Sequence, residues 1–485
     1  MFISRIKLKE PSSYIFKRGF TDFSGVKTVE DKSTVISTLP NGFKIVTNNN
    51  IKHNHEVVAM GVYVDAGSRV ESKHSLLGLL PGSSKLIEKL SFRTTANFSE
   101  TDMLNKLELL GGNFQCIANR DSIMYQASCI NKQNQVADML TALRETTVNP
   151  RYTESRIKDI KEILQIESEY HTPSQKDIVL PELIHQLAFG NETLGSQSTI
   201  TDPSILHNLN MSNLYNYHQA MYTPSNMTLA MVGVKHEDAL KLGAELFGDI
   251  PSQPTIPKEK PVYKPNNSVC IPKKAPVSNP LETFSHIAIA YPTFDIENKD
   301  TYTVAVLQSV LGGGSSFSSG GPGKGLYSRL YTQVLGRYGW KLGLLGMICS
   351  VDNGATPVVG ELLAQQFYNL CVPYTGKGPH SNPDGITDEQ VQRAKVQLKS
   401  SLLMGLESKI VELEDMGRQV CMLGRRVPID EMLKNVENVT LEDCVRVSRQ
   451  LFVQGKGPTI AMQGDKKEFG DILGKFENYG LSTKK

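Results

Sequence analysis

Residues 81–95 read Pro-Gly-Ser-Ser-Lys-Leu-Ile-Glu-Lys-Leu-Ser-Phe-Arg-Thr-Thr. Proline has no N–H to lose at a helix start, so Pro81 marks where a helix begins. Lys85, Glu88 and Lys89 then share one helix face. Glu88 is placed to pair with Lys85 across one turn, a contact worth roughly 0.2–0.5 kcal/mol if exposed. Read by themselves, the three residues make a solvated helix face.

Upstream, residues 43–47 and 57–64 carry the β-branched, alternating pattern of strands in a half-buried sheet. Downstream, Ser99-Glu-Thr-Asp102 resembles a capping box. It opens a segment with Met103, Leu104, Leu107 and Leu110 on one face, stopped by Gly111-Gly112. Residues 154–170 place Ile157, Ile160, Ile163 and Leu164 at helical spacing. Eight of the 24 prolines and five lysines fall within residues 251–280, which predicts an extended linker. Beyond it the pattern begins again, with a strand at 286–291 and a helix at 302–311. This weak duplication fits an α+β fold of two related domains, each a mostly antiparallel sheet with helices on one face.

The segment at 82–95 resembles the zinc helix of the M16 (pitrilysin-type) peptidases, in which H-x-x-E-H supplies two ligands and a general base. Lys85 and Lys89 stand where the histidines would be, and Glu88 keeps the carboxylate position. Zinc needs a lone pair, and a lysine amine with an ordinary pKa of about 10.4 offers none at neutral pH. The resemblance therefore implies a degenerate metal motif at Lys85, Glu88 and Lys89, with no cofactor and no catalytic residue in this chain. Glu167 lies near the distance where the family places an acidic ligand, but the local spacing does not match and it is not assigned as one. His53 and His55 form a close pair without an evident third ligand.

Seven glycines fall within residues 312–325. By composition this is a flexible connection. It is not a phosphate cradle of the G-x-x-x-x-G-K-[ST] kind, because Gly323-Lys324 is followed by Gly325 and Ser318 takes the first glycine's place. The run GGGSSFSSGGPGKGLYSRLY resembles the glycine-rich loop of the non-catalytic, presequence-binding subunits of mitochondrial processing peptidases, a branch of the M16 family. The resemblance carries substrate binding onto Gly312, Gly313, Gly314, Ser318, Ser319, Gly320, Gly321, Pro322, Gly323, Lys324 and Gly325. Similarity continues at 107–116, 124–128, 179–183, 192–196 and 414–420. Presequences are basic amphipathic helices in solution, so a receptor should present carboxylates. Glu407, Glu412, Glu414 and Asp415 crowd one segment, and Glu414 and Asp415 are the candidates for that role; an ordinary charged helix surface is the alternative.

The 485 residues carry 52 Lys and Arg against 50 Asp and Glu, a balance without the basic stripe of a nucleic-acid binder. Seven scattered cysteines lack any C-x-x-C spacing, which points to a reducing compartment. No apolar run reaches the roughly 20 residues of a membrane span. The first twenty residues hold five cations against Glu10, interleaved with apolar residues, as in a mitochondrial transit peptide. The expected organisation is a transit peptide and N-terminal segment (1–34), a first M16-like domain (35–250), the linker (251–281) and a second M16-like domain with the glycine-rich loop (282–485). The resemblance implies a zinc-bearing beta partner subunit, presequence peptides as ligands, and residence in the mitochondrial matrix or on the matrix side of the inner membrane. A structural core subunit of respiratory complex III, which shares the fold, is the alternative reading.

Overall fold

The computed structural model describes residues 25–31, 33–48, 56–72, 77–132, 134–174, 176–272, 284–312, 336–341, 343–376 and 382–484. The first sheet contains β1 (Lys27–Glu30), β2 (Thr34–Thr38), β3 (Lys44–Asn48), β4 (Val57–Val64), β5 (Asn113–Ala118), β6 (Ile123–Ile130) and β7 (Met227–Val232). Its order is β1-β2-β3-β7-β4-β6-β5, antiparallel except between β3 and β7. The second contains β8 (Ser268–Ile271), β9 (Ser285–Pro292), β10 (Gly336–Lys341), β11 (Leu344–Val351) and β12 (Thr459–Gln463). Its order is β10-β11-β9-β12-β8, antiparallel except between β8 and β12. Matching β3-β7-β4-β6-β5 to β8-β12-β9-β11-β10 reproduces both chain order and strand sense. The duplication glimpsed in the sequence is thus a repeated topology.

The helices of the first half are α1 (Ser83–Leu90), α2 (Glu100–Leu110), α3 (Gln135–Val148), α4 (Glu154–Ser174), α5 (Lys176–Phe189), α6 (Met211–Met221) and α7 (His236–Phe247). Those of the second are α8 (Thr301–Leu311), α9 (Thr356–Leu370), α10 (Asp388–Leu406), α11 (Lys409–Leu423), α12 (Ile429–Glu437) and α13 (Leu441–Phe452), followed by two short helices. Ser99 caps α2 by accepting the Asp102 amide at 3.2 Å, and Gly111 ends it in the left-handed region at φ 60°. Met103, Leu107 and Leu110 are buried while Leu104 is exposed, and in α4 Ile157, Ile160 and Leu164 are buried while Ile163 is exposed. The apolar stripe is narrower than the sequence implied, because residues one position off the i, i+4, i+7 line rotate toward water.

The sheets differ from the half-buried expectation for a physical reason. Along β4, Val58, Met60, Val62 and Val64 enter the large first core, while Ala59 and Tyr63 belong to a separate buried cluster on the other face. Along β9, Ile287, Ile289 and Tyr291 face the second core and Ala288 and Ala290 face away, also buried. Along β9 the alternation is large against small; along β4 the second face carries Ala59, Gly61 and the buried Tyr63, and on both sheets that face is covered by a helix. On the first sheet that helix is α11, from the second half, through Leu413, Met416, Val420 and Cys421. On the second sheet it is α5, from the first half, through Leu180, Ile184 and Ala188, one i, i+4, i+8 stripe. The halves therefore exchange helices, and each large side chain so buried contributes about 1.5–3 kcal/mol.

The segment at 251–264 has no regular structure, as expected of a linker, but β8 lies inside the 251–281 stretch and forms an edge of the second sheet. Tyr263 is buried and donates to the Gly457 carbonyl at 2.8 Å. Lys258 bonds the Asp65 carboxylate, tying the linker to the first half. β1 likewise falls inside the expected N-terminal segment of residues 1–34 and pairs with β2. Residues 1–24, where a transit peptide is expected, lie outside the described residues. Among the described residues, no helix is long and apolar enough to cross a membrane.

Candidate functional site

Helix α1 begins one residue after Gly82, whose φ of 89° suits glycine; a Cβ there would also meet Leu209 at 3.2 Å. The free amides at its start are taken by Glu71, which accepts from Gly82 N at 2.8 Å and from Ser84 N at 2.6 Å. The helix dipole favours an anion at this end. Burial nevertheless dominates and pushes the Glu71 carboxyl up to about 7, against the lowering pull of its Ser84 and Gly82 hydrogen bonds. A carboxyl raised in the fold binds its proton more tightly there than in the unfolded chain. Its effect is therefore to lower stability as pH rises from about 4.5 through about 7. In urea unfolding across that window, Glu71→Gln is expected to gain on the native chain by up to about 3 kcal/mol. His218, held down to about 4 by burial, gives an opposite slope, but it is common to both proteins and cancels in the difference. A difference that does not vary with pH would rule out this role for Glu71.

Leu86, Ile87 and Leu90 anchor the inner face of α1, leaving Lys85, Glu88 and Lys89 on the other. Lys85 Nζ donates to Glu88 Oε1 at 2.6 Å, and Glu88 Oε2 accepts the Ala118 amide of edge strand β5 at 2.7 Å. Lys89 Nζ donates to Glu167 Oε1 of α4, also at 2.6 Å. Both pairs are partly sheltered from solvent. Two carboxylates and two ammonium groups thus form two short charge-assisted bonds, and neither lysine nitrogen has a lone pair to donate. Among the described residues, no group of three or more His, Cys, Asp or Glu side chains is placed to hold a metal ion.

Glu414 and Asp415 lie on α11, on the side away from its buried residues. They line a cleft of about 950 Å³ between the loop at 296–300 with the first turn of α8, α11 and α12. Glu414 pairs with Arg418 at 3.2 Å, and Asp415 pairs with Arg426 at 3.2 Å while accepting from Gln419 at 2.7 Å. Glu412 lies 3.5 Å from Arg426. Gly312 closes α8 with φ 68°. The other loop positions singled out, Gly313, Gly314, Ser318, Ser319, Gly320, Gly321, Pro322, Gly323, Lys324 and Gly325, lie outside the described residues, as do His53 and His55.

The N-terminal part, residues 44–202, matches the family described as Insulinase (Peptidase family M16), and residues 208–368 match the Peptidase M16 inactive domain. The chain is 32% identical to the mitochondrial-processing peptidase subunit alpha of Neurospora crassa, over 88% of this chain and 86% of that one. It is 34% identical to the probable mitochondrial-processing peptidase subunit alpha of Schizosaccharomyces pombe, over 87% and 84%. With the human mitochondrial-processing peptidase subunit alpha the identity is 30%, over 95% and 87%. The chain belongs to the M16 peptidase family. Lys85, Glu88 and Lys89, singled out by their resemblance to the zinc helix, lie on α1, and the fold sets Glu167 beside Lys89 although local spacing gave no ligand assignment. Glu71 carried no sequence signal at all, since it acts on α1 from outside the motif.

Proposed function

We propose that this chain is the non-catalytic, presequence-binding alpha subunit of a mitochondrial processing peptidase. It works with a zinc-bearing beta subunit, resides in the mitochondrial matrix or at the matrix side of the inner membrane, and captures the peptide that the partner cuts. The observation that carries the reading is the pairing of Lys85 with Glu88 and of Lys89 with Glu167. Ammonium groups fill the space of the imidazole ligands, and Glu88 spends its carboxylate on Lys85 and on the β5 amide rather than on a water molecule. The names of the relatives favour processing over a purely structural role in a respiratory complex.

In this reading the peptide is gripped by the glycine-rich loop at 312–325 and by the cleft that Glu414 and Asp415 line. Glycine lets a loop backbone approach an extended peptide closely. Binding orients the substrate, and the chemistry occurs on the partner's zinc. The purified chain is expected to carry no stoichiometric zinc, to cleave no presequence, and to support cleavage when mixed with the zinc-bearing partner. Deleting residues 313–325 is expected to weaken presequence binding about tenfold or more. Chelator-sensitive cleavage by the isolated chain would overturn the proposal.

A further inference from the structure

Strand β5 ends the first sheet and pairs on one side only, with β6. Along an antiparallel pair, successive residues turn their backbone N–H and C=O alternately toward the partner strand and away from it. Asn119 donates to the Ser122 carbonyl at 2.9 Å across the hairpin, so Ala118, Cys116 and Phe114 present theirs outward. A row of this kind is a template for another strand. Its Ala118 amide is already taken, because Glu88 Oε2 accepts it at 2.7 Å.

Glu88 is held firmly in this place. Its other carboxylate oxygen receives Lys85 Nζ at 2.6 Å, and the two side chains are only 12% and 17% exposed. Helix α1 itself is fixed by the buried Leu86, Ile87 and Leu90 and by Glu71 at its start. In this shelter water competes weakly for the bonds. The opposite edge of the sheet is blunted by other means, since β1 has only four residues and exposes Lys27 and Glu30.

Independently of the function proposed above, we propose that Glu88 closes the β5 edge to strand addition. Its carboxylate oxygen stands where the carbonyl of an added strand would sit, and Lys85 neutralises the charge that this requires. Cys116 and Phe114 are left as the outward-facing residues, fewer than the three or more of an ordinary strand. Main-chain hydrogen bonds supply the affinity in strand addition, so losing one position from so short an edge removes most of it. An extended segment, from a peptide or from a second copy of this chain, is thereby kept off the first sheet at β5.

The test uses the full chain and a fluorescent peptide of about seven alternating valine and threonine residues. An N-methylated control has the same side chains without the backbone donors. Lys85→Ala combined with Glu88→Ala is expected to bind the unmethylated peptide about tenfold tighter than the native chain does, and methylation to abolish that gain. Glu88→Gln, whose amide oxygen still accepts from Ala118, is expected to stay within about threefold of the native chain. Amide hydrogen exchange supplies a readout that does not need the double variant to fold. The Ala118 amide is expected to be protected in the native chain and in Glu88→Gln, with Phe114 and Cys116 exchanging faster. Methylation-sensitive binding to the native chain as tight as to the double variant, a folded double variant without a gain, or a gain that survives methylation would each overturn the inference. So would an Ala118 amide that exchanges as fast as its two neighbours on the edge.

Discussion

Arg120→Ala is expected to cost the chain about 3–5 kcal/mol of unfolding free energy. Arg120 and Glu182 are both almost fully buried, with Nη2 2.5 Å from Oε2. The guanidinium also donates to the Leu194 carbonyl at 3.1 Å and to Ser198 Oγ at 3.2 Å, and Ser198 Oγ donates to Glu182 Oε1 at 2.7 Å. Burial pulls the Arg120 pKa below its ordinary value, while the Glu182 charge pulls it back up. Removing the arginine leaves the Glu182 carboxylate buried without its cation. The damage spreads because the pair joins the β5–β6 hairpin end to α5, the helix that covers the second sheet. A double replacement, Arg120→Met with Glu182→Met, removes both charges and is expected to recover most of the loss, since an apolar pair of similar volume avoids the desolvation penalty. Denaturant unfolding decides between these outcomes: a single substitution costing less than about 1 kcal/mol would show that the pair is not the tie described.

Gly417→Ala is expected to destabilise, reversing the usual sign. Inside a helix, alanine in place of glycine ordinarily gains about 1 kcal/mol. Here a Cβ at 417 would stand 2.2–2.5 Å from three atoms of the Tyr63 ring. Tyr63 is fully buried, and its hydroxyl accepts from Gln126 at 3.0 Å, so the ring cannot swing aside freely. Overpacking of this kind costs about 1–3 kcal/mol and here pushes α11 off the first sheet. The cleft on the other side of α11 would move with it, so under the proposed function weaker presequence binding should accompany the lower thermal midpoint. Tyr63→Leu in the Gly417→Ala background is expected to restore part of the stability, and a double-mutant cycle measures that coupling. A neutral or stabilising Gly417→Ala would show that the two halves are not seated this closely.

Local signals were reliable where a single element contained them. The Ser99 cap, the Gly111 stop, the strands at 57–64 and 286–291 and the helices at 154–170 and 302–311 all appear close to their expected bounds. Periodicity overstated the apolar faces at Leu104 and Ile163. It also read β4 as half-buried, because a face that carries the small residues Ala59 and Gly61 looks solvent-tolerant until a helix from the other half of the chain lies on it. Carboxylates crowded at 412–415 suggested open negative charge, yet Arg418 and Arg426 take up much of it. Arg426 comes from beyond the end of the helix that carries them.

By itself, the sequence determined the chemistry of positions 85, 88 and 89, since the identity of a side chain decides whether a lone pair exists. It also determined which runs become helices and strands, because those periods span only a few residues. Tertiary structure alone decided that Glu167, 78 residues away in the chain, meets Lys89, and that α5 and α11 cross between the halves. Such meetings depend on which surfaces pack best once the sheets exist, and no local repeat encodes that outcome.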